Sequence, residues 1–554
     1  MVYQDGPLHL GRWPAGGRSG IQSPATRAIT AVRRASLLRV ATHVASWLPF
    51  LTAVADSMRA KWRVVGDGAS IALHSWNALT AHGPLVGPTT ELAHGLHDPG
   101  PLQYWLLAVP VHLDPVRGVQ WGAALWCMAA GSLAIEATWS VLGKIGGLLA
   151  SGAILAMVAW SPGLAIKPYW NAWFGTMFFL AALAACWAVM SGHRRWWPVL
   201  VMAASVAAQA HLMFAIASAA LVLLALVAGL RDGFRAKAGY RWAITGLIAG
   251  IACWTAPLIQ QFTSRVGNLT MLIHDQGAGQ HTGLIFALKT LAAFTQPLPL
   301  WWPHPRQPLS PYGLIDARSA VFAVVILAIT AAVMLVAVLR LRCRPLASLA
   351  AISLLVSFAG LVTFSHIPVK RDDLARLGYL MIVMFPVGLL IWLTVGSAFA
   401  LTARQMISRL GATTAGHVQP HGGQQGAART WTRWAVRGAG AIAVPLIVLA
   451  SLPGVLQLAP GFPGDARRAG LVSVATRLVE QALPSQQIAL SVVAASRPDR
   501  HRLTLGLVWA LTGDGYHPEP STRSARRRPM PQVTVLVRSN RIAVNITKMA
   551  TSHP

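Results

Sequence analysis

The sequence predicts an all-α polytopic membrane protein with about eleven transmembrane helices and a small C-terminal extracytoplasmic α/β unit. Of the 554 residues, 54% are hydrophobic and only 11% are charged, whereas charged residues make up about a quarter of an average soluble domain. Apolar runs of about 20 residues, the length that crosses a bilayer, recur along most of the chain. After residue 457 the runs shorten and alternate with turn residues, as in small α/β folds. A soluble multidomain enzyme is therefore excluded.

The predicted transmembrane helices end at charges and at clusters of Pro and Gly. After a basic N-terminal arm, 1–35, the membrane domain is expected to cover 36–457. Its stretch 196–230 carries no charge and is too long for one helix, so a break is predicted at Gln209-Ala210-His211. The other predicted spans are 36–56, 119–141, 145–163, 174–192, 241–260, 318–340, 346–366, 377–400 and 436–457.

The basic residues predict the orientation of these spans. The chain has 46 Lys and Arg against 17 Asp and Glu, a net charge of +29, which in a soluble protein would suggest nucleic-acid binding. Here most basic residues of the membrane domain fall in short segments on one side if the N-terminus is cytoplasmic. We therefore expect a multi-pass protein of the cell inner (plasma) membrane, with the C-terminus extracytoplasmic. Its basic segments would meet membrane lipid, and no nucleic acid is expected as a partner.

This topology places three longer regions on the extracytoplasmic side: a first loop 57–118, a loop 261–317, and the C-terminal region 458–554. The C-terminal region predicts a strand at 488–493, a helix at 501–511 and a strand at 533–537, with a basic patch between the helix and the second strand. Long loops on a polytopic protein can surround a cavity, so the first loop is the expected place for a site.

Two acidic residues of the first loop are candidates for chemistry. Asp67 opens a helical pattern of apolar residues, where an acid either caps the helix or acts in catalysis. Asp98 begins the segment Asp98-Pro99-Gly100-Pro101, where its side chain either forms a turn or belongs to a site. The residue types alone leave both alternatives open.

Polar and aromatic residues at the ends of spans have the same ambiguity. Gln209 and His211 either line a site or form hydrogen bonds between helices. Trp105 is either an interfacial anchor or a platform for a sugar ring. Glu136 lies inside a predicted span near its cytoplasmic end, where snorkelling or pairing with Lys144 is expected.

Several phrases of the sequence, taken in their order, resemble the GT-C superfamily of polyprenyl-phosphate-sugar-dependent membrane glycosyltransferases. The closer resemblance is to a largely uncharacterised actinobacterial group of that superfamily. The phrases that carry it are Gly66-Asp67-Gly68-Ala69-Ser70-Ile71-Ala72-Leu73, Gly83-Pro84-Leu85-Val86-Gly87, His97-Asp98-Pro99-Gly100-Pro101-Leu102, Trp170-Asn171-Ala172-Trp173 and Gln209-Ala210-His211. The chain departs from the superfamily at Gly68, where many GT-C members have a second acid, and from the group at Asp98, where the group usually has His, and at Ala172, where it usually has Pro.

The resemblance implies an inverting transfer of a sugar from a polyprenyl-phosphate donor to a cell-envelope glycan, lipid or protein acceptor. It implies Asp67 as the general base and Asp98 as the other catalytic carboxylate. No cofactor is certain, and a divalent cation held by these two acids stays open. The substrate-binding residues it implies are His97, Trp105, Asn171, Gln209, His211 and Arg376.

Two other functions fit the same features. Many spans with few charges inside them are also found in secondary transporters and lipid flippases, although this sequence lacks the internal repeat that transporters often have. A GT-C relative that has lost its activity through the departures above is the other alternative.

Overall fold

The computed structural model describes most of the membrane domain and most of the C-terminal unit. The described residues are 24–59, 63–81, 83–90, 96–161, 163–231, 237–274, 281–295, 318–367, 382–415, 463–483, 487–494, 497–514, 516–520, 531–538 and 541–547. The predicted span 436–457 and the basic patch at 523–528 lie outside them.

Helices account for nearly all of the described membrane domain. They are α1 (Pro24–Arg59), α2 (Asp67–Asn77), α3 (Leu102–Leu113), α4 (Gly118–Leu142), α5 (Lys144–Trp160), α6 (Gly163–Ile166), α7 (Asn171–Met190), α8 (Trp197–Ala210), α9 (Ala215–Arg231), α10 (Lys237–Thr263), α11 (Asn268–His274), α12 (Gly283–Thr295), α13 (Ala320–Leu339), α14 (Arg344–Ser365) and α15 (Met384–Ala415). Within the described residues, eight helical segments are long and apolar enough to cross a membrane, and they belong to α1, α4, α7, α9, α10, α13, α14 and α15. The predicted class of a polytopic helical membrane protein is confirmed.

The sequence located most helices well, but it overestimated the length of two and missed a third. The predicted break at 209–211 is confirmed, because α8 ends at Ala210 and a short 3₁₀ turn precedes α9. Helix α8 has only 14 residues, fewer than a straight span of the bilayer needs, and α5, with 17 residues, is at the lower limit. Helix α12, with 13 residues, lies inside the region predicted as the loop 261–317. It was missed because so short an apolar run does not stand out as a span, yet it packs among α13, α14 and α15.

Helix α7 forms the centre of the membrane domain. It packs against α4, α8 and α9, and nearly all of its side chains are buried. Many of them are alanines, and small side chains let neighbouring helices approach closely. Gly175 shows how close this approach is, since a Cβ there would lie 2.7 Å from the Phe214 ring. The outer helices α10 and α13 instead expose many of their large apolar side chains, as expected for helices that face lipid.

The expected pairing of Glu136 with Lys144 is wrong. Glu136 on α4 faces α1, where it accepts a hydrogen bond from Arg39 Nε at 2.6 Å and contacts His43 Nε2 at 2.9 Å. Lys144 begins α5 after the turn at Gly143, and its side chain is exposed. The ion pair therefore ties α1 to α4, because a carboxylate within an apolar helix is stabilised by the cation that faces it.

The C-terminal region forms a four-stranded sheet with two helices, which confirms the predicted α/β unit. Its elements are α16 (Pro463–Ala482), β1 (Gln487–Ala494), α17 (Arg497–Gly513), β2 (His517–Pro520), β3 (Gln532–Arg538) and β4 (Arg541–Thr547). The strand order is β2-β1-β3-β4, with β1 parallel to both neighbours and β3 antiparallel to β4. Helix α17 packs both on this sheet and on α2 of the first loop. The unit and the first loop therefore share one face of the membrane domain, called the loop face below.

Candidate functional site

Asp67 is the first residue of α2 and lies on the loop face. The preceding Gly66 has φ +57°, a left-handed conformation that glycine adopts readily. The Asp67 carboxylate is exposed, and it makes no hydrogen bond or ion pair with any described residue. It therefore does not cap the helix through a side-chain hydrogen bond, although its charge sits favourably at the positive end of the helix dipole. An exposed carboxylate that has no partner within the described part of the chain is accessible to a substrate.

Gly68 leaves no space for a second acid beside Asp67. A Cβ at this position would lie 2.6 Å from Cε2 of Tyr169, whose ring is almost fully buried. The ring occupies the volume that a larger residue at position 68 would need. The position of the Tyr169 ring therefore explains why this chain has glycine at position 68, where many GT-C members have a second acid.

Asp98 has an environment opposite to that of Asp67. Its side chain is only 3% exposed. Oδ1 accepts a hydrogen bond from the backbone N–H of Leu212 at 2.8 Å, and Oδ2 accepts one from Asn171 Nδ2 at 3.1 Å. Burial raises the pKa of Asp98 to about 7, although these two hydrogen bonds act in the opposite direction. Asp98 joins the first loop to the beginning of α7 and to the turn between α8 and α9.

Tyr104 and His74 belong to the same cluster, and the sequence analysis did not single them out. Their rings stack with centroids 5.0 Å apart. Burial, and then the charges of Asp98 and Asp67, raise the pKa of Tyr104 well above its ordinary value. Desolvation, and then the neighbouring His97, lower the pKa of His74. His74 could have been found from spacing, because it follows Asp67 by two turns of the same helix.

His97 is held by contacts of its backbone and ring. Asn268, the first residue of α11, accepts a hydrogen bond from the His97 N–H and donates one to the His97 carbonyl, both at 3.1 Å. The His97 ring contacts the Gly87 carbonyl at 3.0 Å through Nδ1. The segment 87–90 pairs with 96–98 by backbone hydrogen bonds, so two of the quoted phrases form one small structure.

Gln209 and His211 lie beneath this structure. Gln209 is completely buried and donates a hydrogen bond to the Cys253 carbonyl at 2.8 Å. Its Oε1 lies directly against Gly100, where a Cβ would be only 2.1 Å away. The His211 ring accepts a hydrogen bond from the Met213 N–H at 3.3 Å and thereby caps the turn before α9. In this conformation Gln209 supports the Asp98 turn from behind and does not reach a cavity.

Two further predicted binding residues have different outcomes. Trp105 is 42% exposed and donates a hydrogen bond from Nε1 to the Pro84 carbonyl at 3.3 Å, a position that suits either a membrane interface or a ligand. Arg376 lies outside the described residues. The structure thus brings Asp67, Asp98, His97 and Asn171 into one cluster and places Gln209 and His211 behind it.

A large apolar cavity opens beside the cluster. Its volume is about 850 Å³, and it lies between α8, α9, α10, α11 and α14. Leu96 and Pro99, the neighbours of His97 and Asp98, line one end of it, and Leu226 on α9 also contributes to its wall. His366, at the end of α14, is among its few polar lining residues. The cavity fits a long apolar chain that runs between membrane helices.

The described residues of this cluster do not form a metal site. No three His, Cys, Asp or Glu side chains come together to hold a metal ion within the described part of the chain. The pair left open by the sequence, Asp67 and Asp98, differs in access, because Asp98 is buried with both oxygens hydrogen-bonded inside the protein. No step below is therefore assigned to a cation.

Comparisons with known proteins give one structural match. No family model matches the sequence, and no curated protein sequence matches it either. Among solved structures, the chain is similar to the crystal structure of ArnT from Cupriavidus metallidurans in the apo state, with a TM-score of 0.49 and 15% sequence identity. The match covers 95% of this chain and 100% of that chain. The function is accordingly inferred from the residues of the site.

Proposed function

We propose that this protein is an inverting membrane glycosyltransferase of the GT-C type, which moves a sugar from a polyprenyl phosphate to a hydroxyl group of a cell-envelope acceptor. The observation that carries the proposal is the juxtaposition of an exposed carboxylate, Asp67, with a cluster that forms the end of a long apolar cavity. The phrases that resemble the superfamily all converge on this cluster. A polar reaction centre beside an apolar cavity suits a substrate with a polar head and a lipid tail.

The roles follow from exposure and hydrogen bonding. Asp67 accepts the proton of the acceptor hydroxyl, whose oxygen then attacks the anomeric carbon of the sugar. The bond between that carbon and the phosphate oxygen breaks, and the polyprenyl phosphate leaves with the electron pair. Asp98 is assigned a positioning role, because both of its oxygens already hold protein groups.

The cavity is assigned to the prenyl chain of the donor. Its walls come from four membrane helices and from α11. Its volume of about 850 Å³ is large enough for a long apolar chain. His366 stands among the lining residues and is exposed. We assign it to the donor phosphate, together with Arg376, because charged or hydrogen-bonding groups are needed where phosphate charge develops.

The remaining roles complete this assignment. Trp105 and Asn171 are assigned to the sugar or the acceptor, and His97, Gln209 and His211 to the support of the cluster. The site would face the extracytoplasmic side of the plasma membrane, with the N-terminus cytoplasmic. The domain boundaries proposed are 1–35, 36–457 and 458–554.

The test is to express the Asp67→Asn variant in a cell that lacks the endogenous protein. The variant keeps the shape of the side chain and removes the base, so the rate of transfer should fall about 100-fold to 10,000-fold. Mass spectrometry of envelope glycans and of polyprenyl-phosphate sugars is the measurement. Loss of one glycan together with accumulation of one lipid-linked sugar identifies the acceptor and the donor at the same time.

The matched control is Asp56→Asn. The Asp56 side chain is 44% exposed near the end of α1, and among the described residues it pairs with Arg59 alone, at 3.3 Å, so this variant should behave as the wild type. Restoration of the glycan by Asp67→Asn would show that the proposed base is wrong. A flippase, which the same apolar cavity also suits, would give a different result. Cells without the protein would then accumulate the lipid-linked sugar on the cytoplasmic side alone, and Asp67→Asn would relieve this as well as the wild type does.

A further inference from the structure

Helix α17 of the C-terminal unit has two buried faces. Leu503, Leu507, Ala510 and Leu511 belong to the core of the unit itself. Arg502, Leu505, Gly506 and Trp509, spaced i, i+3, i+4 and i+7, form one stripe along a different side of the helix. This second set is called the docking stripe. Its large apolar members pack into the core of the membrane domain, Trp509 as a buried member of it and Leu505 at its edge.

The docking stripe contacts the residues that immediately precede Asp67. The Gly66 N–H donates a hydrogen bond to the Arg502 carbonyl at 3.2 Å. Gly506 packs so closely that a Cβ there would lie 3.1 Å from Cγ1 of Val65. Val65 in turn is a member of the hydrophobic core of the C-terminal unit. The chain that leads into α2 is therefore shared between the two parts of the molecule.

Two further contacts fix the same interface. Trp509 meets the Trp76 ring of α2 edge to face, with centroids 6.1 Å apart. Arg63 faces Asp514, at the end of α17, with 3.7 Å between Nη1 and Oδ2. One contact lies near the C-terminal end of α2, and the other lies four residues before its start. Together with the Gly66 hydrogen bond they hold α2 at both ends.

We infer that the C-terminal α/β unit is a positioning element of the candidate active site. By docking α17 on the Gly66 turn it fixes the first turn of α2, and with it the direction of the Asp67 carboxylate. The carboxylate has no partner of its own among the described residues, so its orientation depends on the backbone that carries it. A base displaced by about 1 Å loses much of its effect. This inference rests on the proposed function for the catalytic role of Asp67, but the docking itself can be measured without any assay of transfer.

The experiment compares Trp509→Ala with Val474→Ala in the full chain, purified in detergent micelles. Trp509 is buried in the interface, whereas Val474 on α16 of the same unit is 40% exposed. Hydrogen exchange followed by mass spectrometry reports the protection of individual segments. Trp509→Ala should speed exchange in 64–72 about 10-fold or more, while β1 and β3 keep their protection. Val474→Ala should change neither.

The second readout is transfer by the same purified variants, with the polyprenyl-phosphate sugar that the cell assay identifies as the added donor. Trp509→Ala should lower transfer by about 10-fold or more without raising the donor concentration needed for half of the maximal rate, since the prenyl chain is assigned to a different part of the molecule. Asp67→Asn should also lose transfer, but its hydrogen exchange in 64–72 should be unchanged. A wild-type exchange rate in 64–72 of Trp509→Ala, beside an inactive Asp67→Asn, would overturn the inference and leave the proposed function standing.

If Trp509→Ala also loses protection in β1 and β3, the unit itself has unfolded, and Asp514→Asn takes its place. This variant removes the charge that faces Arg63 and leaves the apolar stripe intact, and it also alters the hydrogen bond between Asp514 and Glu480 on α16. It should speed exchange in 64–72 about two-fold to three-fold. Unchanged exchange there, with β1 and β3 protected, would contradict the inference. If exchange responds as expected but no variant affects transfer, including Asp67→Asn, it is the proposed function that is wrong.

Discussion

Asp67 and Asp98 are two acids of the same loop region that have opposite environments. Asp67 is exposed at the start of α2 and has no hydrogen-bond partner among the described residues, whereas Asp98 is buried and accepts hydrogen bonds from Leu212 and Asn171. A carboxylate that holds the protein together with both oxygens is poorly placed to accept a substrate proton. The difference shows that residue type alone does not assign chemistry: Asp98 is a structural group of the loop, whereas Asp67 has the access that the proposed base requires.

The variant Asp98→Ala is the most direct test of this difference between the two acids. Removal of the carboxylate leaves the Leu212 N–H and the Asn171 amide without their acceptor in a buried place, which should lower the free energy of unfolding by about 2–5 kcal/mol. The expected result is a large fall in the melting temperature of the protein in detergent. Asp67→Ala, which removes an exposed side chain, should leave the melting temperature nearly unchanged. Equal stability of the two variants would show that the hydrogen bonds of Asp98 do not hold the loop.

The second prediction concerns pH. The pKa of Asp98 is raised to about 7 in the folded protein, whereas an unfolded Asp titrates near 3.9. Between these values the folded state binds a proton that the unfolded state has lost, so stability should fall as pH rises from about 4 to about 7. Between pH 5 and pH 7 the loss should be roughly 2–3 kcal/mol.

Melting temperatures between pH 5 and pH 8 measure this loss, and Asp98→Asn supplies the control. The amide does not titrate, so this part of the pH dependence should disappear in the variant. Asp67→Asn should keep the slope of the wild type. A slope that persists in Asp98→Asn would assign the titration to another group.

The sequence predicted the membrane fold well because length and hydropathy set most spans directly. It also predicted the break at 209–211, because a charge-free stretch of that length cannot be one helix. It could not predict α12, since 13 apolar residues are too few for a span and only their packing against α14 shows where they lie. The hydrophobic pattern shows which residues are removed from water, but not which neighbouring helix they pack against.

The candidate site was predicted in part for a similar reason. The phrases around Asp67, Asp98, Asn171 and Gln209 do meet, although they are far apart along the chain. What the sequence could not give was the partition of roles among them. Tyr104 joins the site through the stacking of its ring on His74, and Gln209 packs against Gly100, which lies on another segment.

The smallest expected effect, and the finest test of how the Asp67 turn is built, comes from Gly68→Ala. A Cβ at position 68 would lie 2.6 Å from the Tyr169 ring, so the ring or the first turn of α2 must move. Overpacking of this kind lowers the free energy of unfolding by about 1–3 kcal/mol. The matched control is Gly470→Ala on α16, where a Cβ meets no atom within 4 Å and a helical alanine should be neutral or stabilising. Melting temperatures of the two variants are the measurement, and an equally stable Gly68→Ala would mean that the Tyr169 ring moves aside without cost.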